Sequence, residues 1–371
     1  MRITIVCRIL WTAGAPKLAA RQAVELAKLG HTVKILFLRG STLSGYSDIL
    51  SGLDVDILDV TGNSLLSPLY DRVTRLFRTD RGSESRVDYN LIRKVPKWVR
   101  AHRPDLILCH DQWAGLAGYY AMRSEGVPYR VYAHESVSKF NVPILGAIAQ
   151  AYERRVFQNA DRVFAVTEQV GESIERMYHI NCVANYIGMD IVQRVPYRNK
   201  SNTITSASMW DSGRRPESYL PLLQYMDGFD LNMVGRWRSD SLKESFMRRV
   251  RDLRLSDRVR MHIGISEQEL SEIYSRSKFF IRFGFGEHGS GSTVEALSHA
   301  LPVVASRDLG TSHLIQRFGA GLVVDETEPV AISRYLSSID EEEAYARVQD
   351  NIARLAAEFS WHRHAATLVG K

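Results

Sequence analysis

The feature that most constrains the fold is an alternation of apolar and helical segments that runs twice through the 371-residue chain. In the first half, helical patterns fit most of the gaps between apolar segments. Strands separated by helices are typical of a parallel sheet that is covered on both faces. An α/β domain is therefore predicted, with strands over residues 2–9, 31–38, 53–60, 105–110, 129–134 and 161–167.

A polar segment over residues 195–203 interrupts this alternation. It contains Pro196 and has no apolar periodicity, which predicts a linker. Five further strands are then predicted over residues 203–208, 230–234, 259–263, 278–282 and 301–306. We expect two Rossmann-like parallel-sheet domains facing each other across a cleft, with a ligand beyond the carboxyl ends of the strands. The predicted divisions are a first domain over residues 1–195, a second over 204–355, and a tail over 356–371 that packs back on the first.

Two helices carry clear local signals. The first is expected over residues 19–29 and ends at Gly30, a typical terminating residue. A second helix begins after Ser266, where Glu269 completes a capping box. The apolar face of the first helix is expected to consist of Ala20, Ala23, Val24 and Ala27.

Several classes of protein are disfavoured. The chain has no secretory signal and no apolar run of about 18 residues, so we expect a cytoplasmic protein without a transmembrane helix. The first strand is followed by a single glycine, Gly14, rather than by a dinucleotide motif, and no P-loop occurs. Asp54 and Asp56 alternate with apolar residues as in a half-buried strand, and His362 and His364 have no acidic or cysteine companions. No metal site and no cofactor are therefore expected.

Basic residues are concentrated between residues 68 and 103. This segment has ten Lys or Arg against four acidic residues, an excess equal to the +6 net charge of the whole chain. Within it, Arg72, Arg75 and Arg78 lie beside or opposite an apolar helical face. The pattern favours contact with an anionic membrane surface or acceptor, and the alternative is a surface helix packed on its own domain. Nucleic acid is not an expected partner, because no recognised binding motif accompanies the charge.

A glycine- and serine-rich loop follows the predicted strand 278–282. Its sequence, FGFGEHGSGSTVEALSHALPVVAS, places Glu287 before the loop and Glu295 near the first turn of a helix expected from Ser292 to Ala300. Glycines let backbone N–H groups approach a ligand, and a helix N-terminus suits a phosphate. Carboxylates accept hydrogen bonds from hydroxyls, so this segment suits a sugar and a ribose with phosphates between them.

The same segment resembles the donor-binding signature of glycosyltransferase family 4, the large retaining group with the GT-B fold. That signature has two glutamates separated by seven residues and then a strand with P-V-V, here Glu287, Glu295 and LPVVAS. Further segments resemble the family in order: AGAPKLAARQAVELAKLGHTVKIL, YAHES, ADRVFAVTEQVGESI, NYIGMD, IGISEQELSEIYSRSKFFI, RDLGTSHLI and FSWHRHAATL. The resemblance covers nearly the full chain.

This resemblance implies a role for each matching residue. Glu287 would bind the hydroxyls of the donor sugar, with His134 beside the sugar. Glu295 would bind the ribose diol, Ile265 would line the base pocket through its main chain, and Gly14 would let the first loop approach the phosphates or the acceptor. The residues that would offer donors to the sugar and pyrophosphate are Gly289, Ser290, Gly291, Ser292 and Thr293.

One segment departs from the family pattern. The family usually has G-R-L at the end of the first strand of the second domain and a lysine five residues after the arginine. Here Met209 stands in place of the arginine, and Arg214 follows five residues later with Arg215 beside it. Arg214 is the expected retained cation, with a catalytic role, and Arg215 is the expected substitute. Arg236 and Arg238 are weaker candidates.

The resemblance implies a retaining, metal-independent glycosyltransferase. It would move a sugar from a nucleotide-diphosphate donor to a glycan, a lipid-linked molecule or a small molecule. Cell-surface polysaccharide or glycolipid synthesis, at the inner face of the membrane, is the expected setting. Two alternatives remain open, a nucleotide-sugar epimerase with the same fold and a non-catalytic binding partner, and Met209 keeps the second of these open.

Overall fold

The computed structural model describes residues 1–10, 14–40, 50–60, 89–135, 146–284, 291–325 and 327–370. These residues form two compact units. The first unit comprises Met1–Tyr186 and His364–Lys371, and the second comprises Ile187–Arg363. Each unit contains one sheet whose strands are all parallel, so the prediction of two parallel-sheet α/β domains is confirmed.

The first unit contains a seven-stranded sheet with the order β3-β2-β1-β4-β5-β6-β7. Its central strands are continuous apolar runs because helices cover both faces of the sheet. The strands are β1 (Arg2–Leu10), β2 (Thr32–Gly40), β3 (Asp54–Val60), β4 (Leu106–His110), β5 (Tyr129–Ala133), β6 (Arg162–Ala165) and β7 (Val183–Ala184). The described helices of this unit are α1 (Gly14–Lys28), α2 (Tyr89–Ile92), α3 (Val95–His102), α4 (Asp111–Glu125), α5 (Gly146–Gln158) and α6 (Glu168–Tyr178).

The second unit contains a six-stranded sheet with the order β10-β9-β8-β11-β12-β13. Relative to its first strand, this order repeats that of the first sheet. The strands are β8 (Ser201–Ala207), β9 (Asp230–Val234), β10 (Val259–His262), β11 (Ser277–Arg282), β12 (Val303–Ser306) and β13 (Gly321–Val324). The helices are α7 (Asp240–Asp252), α8 (Glu267–Arg276), α9 (Gly291–Ser298), α10 (Ser312–Phe318), α11 (Pro329–Ser338) and α12 (Glu342–Glu358), and short 3-10 turns cover Tyr197–Asn199, Ser212–Arg214 and Pro216–Gln224. A last helix, α13 (Trp361–Val369), begins in this unit and continues into the first from His364 onwards.

The first helix departs from its prediction in length and at one position of its buried face. Helix α1 begins at Gly14, before the predicted start, and its buried residues include Gln22 while Ala27 is exposed. Of the predicted apolar face, Ala20 and Ala23 are buried and Val24 is half-buried, so only Ala27 departs from the prediction. Alanines occur around most of the helix, so their pattern does not determine which face is buried. Gln22 can be buried because it has polar partners inside the unit.

The segment predicted as a linker is packed against the second unit. Lys200 is 8% exposed, and its Nζ donates to the carbonyl oxygens of Ser275 and Ser277, both at 3.0 Å. The Tyr197 hydroxyl donates to the carbonyl oxygen of Asp340 at 2.7 Å. A segment that is polar in sequence is held here because its long side chains reach backbone acceptors. The first segment of the first unit ends at Tyr186, ahead of the division predicted at residue 195, and the unit is completed by His364–Lys371.

No helix in the described part of the chain is long and apolar enough to span a bilayer.

Candidate active site

The carboxyl ends of β8 and β11 lie where the strand order of the second sheet reverses, the usual position for a ligand in an open parallel sheet. All six residues of β11 are buried, and the strand ends at Arg282. The chain then continues through Phe283 and Gly284, and α9 begins at Gly291. Glu287, Gly289 and Ser290 lie outside the described residues, so their roles stay predictions.

The first turn of α9 has the character expected of a ligand-binding helix start. Gly291 is exposed, and a Cβ added there would meet nothing within 4 Å. Ser292 is half-buried, and Thr293 is fully buried. The opening residues of a helix have backbone N–H groups without acceptors inside the helix, which is why helix starts in general suit an anion.

Glu295 lies one turn into α9 and has a partner that the sequence did not indicate. The hydroxyl of Tyr274 donates to Oε2 of Glu295 at 3.4 Å. Burial, and then the charge of Glu295, raises the pKa of Tyr274 well above its usual value, so this tyrosine stays protonated. Tyr274 is 1% exposed, whereas Glu295 is half-buried. The carboxylate is therefore oriented from one side and retains access to solvent.

The loops after β8 and β9 are joined by two tryptophans. Trp210 and Trp237 form an isolated parallel bridge, and the indole Nε1 of the fully buried Trp210 donates to the carbonyl oxygen of Val234 at 3.0 Å. Gly235 makes the close approach possible. Its φ is +118°, and a Cβ there would lie 1.9 Å from the carbonyl oxygen of Ser208. The two loops are therefore held in direct contact.

These joined loops carry the candidate phosphate-binding arginines. Arg214 Nη1 lies 2.8 Å from Asp211 Oδ2, and Arg238 Nη1 lies 3.8 Å from the same oxygen. Arg214 is half-buried, whereas Arg215 and Arg236 are exposed. Asp211, which no sequence prediction included, neutralises part of the charge assigned to Arg214.

Met209 lies beside these arginines. It is half-buried after the end of β8, at the position where the family pattern has a cation. A methionine supplies no charge for a diphosphate there.

The predicted base-binding segment lies after β10. Gly264 has φ +71°, and Ile265 is half-buried directly before the start of α8. The capping box predicted there is confirmed, because the Ser266 side chain accepts from the Glu269 N–H while the Glu269 carboxylate accepts from the Ser266 N–H. Ile265 is thus held by a well-defined helix start.

In the first unit, polar residues collect at the carboxyl ends of β4 and β5. His110 ends β4 and is 2% exposed, and the half-buried His134 follows β5. Nδ1 of His110 lies 3.0 Å from Nε2 of His134. Gly14, at the exposed start of α1, follows the carboxyl end of β1.

The histidine pair continues into the core as a chain of hydrogen bonds. His110 Nε2 lies 2.7 Å from Gln22 Oε1, and Gln22 Nε2 lies 2.9 Å from His364 Nε2. His364 Nδ1 lies 2.7 Å from the carbonyl oxygen of Tyr186. Gln22 is fully buried and His364 is 3% exposed. The sequence pattern around His364 predicted no contact with Gln22.

The remaining predictions concern metals and the basic helix. Within the described residues, no group of three or more His, Cys, Asp or Glu side chains is placed to hold a metal ion. Asp54 and Asp56 lie on β3, where both carboxylates pair with Lys34 at 2.8 and 3.3 Å. Arg72, Arg75 and Arg78 lie outside the described residues.

Comparisons with known proteins agree with the two-unit division. Residues 12–187 match the family model described as Glycosyltransferase Family 4, and residues 222–355 match the model described as Glycosyl transferases group 1. A search of curated protein sequences gave no match.

Solved structures with a similar fold cover the whole chain. HepE from Anabaena in complex with UDP and glucose is 15% identical, with a TM-score of 0.74 and coverage of 99% of this chain and 98% of that chain. Sucrose-phosphate synthase from Thermosynechococcus elongatus is 16% identical, with a TM-score of 0.75 and coverage of 99% and 97%. WaaG, a glycosyltransferase involved in lipopolysaccharide biosynthesis, is 13% identical, with a TM-score of 0.67 and coverage of 100% of both chains.

At these identities the structural likeness establishes the fold, and the two family models establish the relationship. The resemblance inferred from the sequence is confirmed. The chain belongs to the family 4 glycosyltransferases, with a Glycosyl transferases group 1 domain as its second unit and a GT-B fold.

Proposed function

We propose that the chain transfers a sugar from a UDP-sugar to a hydroxyl acceptor. The observation that carries this proposal is the set of groups at the carboxyl edge of the second sheet. There Glu295 lies one turn after the exposed start of α9, and the loops after β8 and β9 contain four arginines. HepE, which has a similar fold, is described in complexes with UDP and with UDP-glucose. This supports uridine as the first base to test.

In this proposal each group at that edge contacts one part of the donor. Glu295 binds the ribose diol, Glu287 binds the sugar hydroxyls, and the main chain of Ile265 lines the base pocket. The carboxylate of Glu295 is suited to its role because Tyr274 orients it from one side and carboxylate oxygens accept hydrogen bonds from hydroxyls. The diphosphate lies against the loop and helix start formed by Gly289, Ser290, Gly291, Ser292 and Thr293.

Catalysis would depend on positioning and on charge. The leaving diphosphate gains negative charge in the transition state, and fixed N–H groups together with Arg214 and Arg215 would stabilise it. We propose that this arrangement works without a metal ion and that the anomeric configuration is retained. Proton NMR of the product anomer tests retention, and unchanged turnover in the presence of a chelator tests metal independence.

The acceptor is proposed to bind to the first unit. A sugar-containing or lipid-linked acceptor fits the fold's relatives, since WaaG is described as acting in lipopolysaccharide biosynthesis. The excess of basic residues between 68 and 103 supports contact with an anionic membrane surface. Sedimentation with vesicles that contain anionic lipid tests this contact. Replacing Arg72, Arg75 and Arg78 with glutamine should abolish it, and neutral vesicles are the control.

The donor assignment is tested by calorimetry with UDP, GDP and ADP. Glu295→Gln removes the charge and keeps the shape of the side chain. Two hydrogen bonds to a ribose diol then weaken, which should reduce UDP affinity by about 30- to 100-fold. Glu272→Gln is the matched control, because it removes an exposed carboxylate from α8 and should leave affinity unchanged. An equal effect of both substitutions, or no nucleotide binding at millimolar concentration, would contradict the assignment.

A non-catalytic binding role is the second candidate, and Met209 favours it. The cation expected there is missing, and Arg214 is paired with Asp211. Met209→Arg restores the charge at the half-buried end of β8. Increased turnover would identify a weakened catalyst, whereas tighter nucleotide binding without turnover would support the binding role.

A further inference from the structure

Phe283 and Gly284 connect the end of β11 to the loop that is proposed to hold the donor. The last residue of β11 that pairs with β12 is Arg282, which lies opposite Ala305. Phe283 is 2% exposed and Gly284 is buried, so the backbone N–H and C=O groups of both residues need partners inside the unit. Side chains supply the partners of all four groups.

Three buried side chains form these hydrogen bonds. The hydroxyl of Tyr219, which is 1% exposed, accepts from the N–H of Phe283 at 3.0 Å. Nη1 of Arg282, which is 2% exposed, donates to the carbonyl oxygen of Phe283 at 3.2 Å. Oγ of Ser306, at the end of β12, accepts from the N–H of Gly284 at 2.8 Å and donates to its carbonyl oxygen at 3.3 Å. The segment that begins the loop is therefore anchored to the core by side chains.

Tyr219 also joins this segment to the loops that carry the candidate arginines. It lies on the 3-10 turn Pro216–Gln224, and its ring centroid is 4.7 Å from that of Phe283. The ring of Trp210 meets it edge-on at 5.5 Å, and Trp237 follows at 6.0 Å from Trp210. Contacts between aromatic rings have preferred geometries, so these four rings constrain one another. They connect the loops after β8, β9 and β11, where the diphosphate is proposed to bind.

We propose that Tyr219 is a positioning residue for the diphosphate of the donor. Its hydroxyl holds the backbone that begins the loop after β11, and its ring contacts the loop after β8 through Trp210. A diphosphate is bound by donors with fixed directions, so a shift of either loop weakens its binding. This role rests on the proposed function, whereas the anchoring of Phe283 by the Tyr219 hydroxyl does not.

A matched control lies at the opposite end of the same strand. Tyr345 is 0% exposed, and its hydroxyl donates to the carbonyl oxygen of Lys278, the second residue of β11, at 2.7 Å. Tyr219→Phe and Tyr345→Phe each remove one buried hydroxyl and one hydrogen bond to backbone, and each keeps the ring. If Tyr219 only stabilised the fold, the two substitutions would have similar effects.

Amide hydrogen exchange tests the anchoring in the free protein. In Tyr219→Phe the buried N–H of Phe283 loses its acceptor, so exchange in peptides that contain Phe283 and Gly284 should become about tenfold faster. Tyr345→Phe should leave exchange in these peptides unchanged. Thermal melting identifies any variant that does not fold. Ser306→Ala, which removes both bonds to Gly284, is a second variant with the same expected change.

Unchanged exchange at Phe283 in folded Tyr219→Phe would refute the anchoring. Equal acceleration by Tyr345→Phe would also refute it, because the change would then reflect a general loss of stability.

Calorimetry with UDP and UMP tests the positioning role. Tyr219→Phe should weaken UDP binding by about tenfold and UMP binding clearly less, because UMP lacks the second phosphate. Tyr345→Phe should leave both affinities unchanged. Equal weakening of UDP and UMP binding by Tyr219→Phe, or equal effects of the two variants, would overturn the positioning role.

The two measurements separate this inference from the proposed function. If the wild type binds neither nucleotide and exchange at Phe283 responds as expected, the proposed function fails and the anchoring stands. If the wild type binds UDP and Tyr219→Phe binds it equally well, the positioning role is refuted and the proposed function stands.

Discussion

Lys200 should make the stability of the second unit depend on pH. Burial lowers the pKa of its ammonium group from 10.5 to about 8. The native state then binds fewer protons than the unfolded state between these two values. When the pKa of a base is lower in the native state than in the unfolded state, the native state is fully destabilised at a pH below the native pKa. This destabilisation disappears as the pH rises towards the unfolded pKa. Stability should therefore increase with pH across this window.

The size of the effect follows from the two pKa values. Linkage gives a gain of about 2 kcal/mol in the free energy of unfolding on going from pH 7 to pH 9.5. Lys200→Met removes the titrating group, so the difference between wild type and variant should change by this amount. The two hydrogen bonds to the carbonyl oxygens of Ser275 and Ser277 affect the constant part of the difference in free energy of unfolding between wild type and variant. They do not affect the sign of the change.

Urea denaturation at several pH values, followed by circular dichroism and tryptophan fluorescence, measures this difference. Lys243→Met is the control, since it removes a lysine from the surface helix α7, where the charge pairs with Asp240 only at 4.0 Å. That variant should follow the wild type at every pH. A wild-type-minus-Lys200→Met difference that stays constant from pH 7 to pH 9.5 would refute the reasoning.

Three further changes test other parts of the fold by thermal or urea denaturation. Gly235→Ala should lower the free energy of unfolding by at least about 2 kcal/mol, because the φ of Gly235 is +118° and an added Cβ would clash with the backbone. Gly228→Ala is the control: its φ is also positive, but a Cβ there would lie in open space, so the loss should be about 1 kcal/mol. Equal losses would refute the clash. Arg130→Met removes the hydrogen bonds to the Leu368 and Gly370 carbonyl oxygens at 2.7 and 2.9 Å. It should lower the free energy of unfolding by about 2–4 kcal/mol and make amide hydrogen exchange faster over residues 364–370. Unchanged exchange over these residues would contradict this. Ser266→Ala removes the cap of α8 and should cost about 1 kcal/mol, and an unchanged unfolding midpoint would show that the capping box contributes nothing.

Most strands could be predicted from the sequence because a parallel strand buried on both faces is a continuous apolar run. Two strands were missed. Strand β7 has only two residues, too few for any pattern. Strand β13 begins at Gly321, where a Cβ would lie 1.8 Å from the carbonyl oxygen of Val303. Only a glycine fits there, but the reason is apparent only from the pairing of β13 with β12.

The candidate site was predictable where its residues are close in sequence. The spacing of Glu287 and Glu295 and the capping box at Ser266 are local patterns, and sequence analysis found both. Asp211 is also local, three residues before Arg214, but the family pattern at this segment concerns cations and gives no reason to expect a carboxylate. The contact between Gln22 and His364 joins residues 342 positions apart and leaves no local signal. Their roles depend on which side chains the fold brings together.

Helix α13 belongs to both units, which matters when the protein is cut into fragments. Trp361–Arg363 belong to the second unit and His364–Val369 to the first, so the backbone passes between the units twice. A fragment that stops at Tyr186 would lack His364, the partner of the Gln22 amide nitrogen, and the Leu368 and Gly370 carbonyls that accept from Arg130, while Gln22 would keep His110 and Arg130 would keep Asp161. A synthetic peptide covering residues 361–371, added in trans, could supply those partners and restore such a fragment. The first unit is thus a candidate for split-protein complementation, with the last helix as the smaller half.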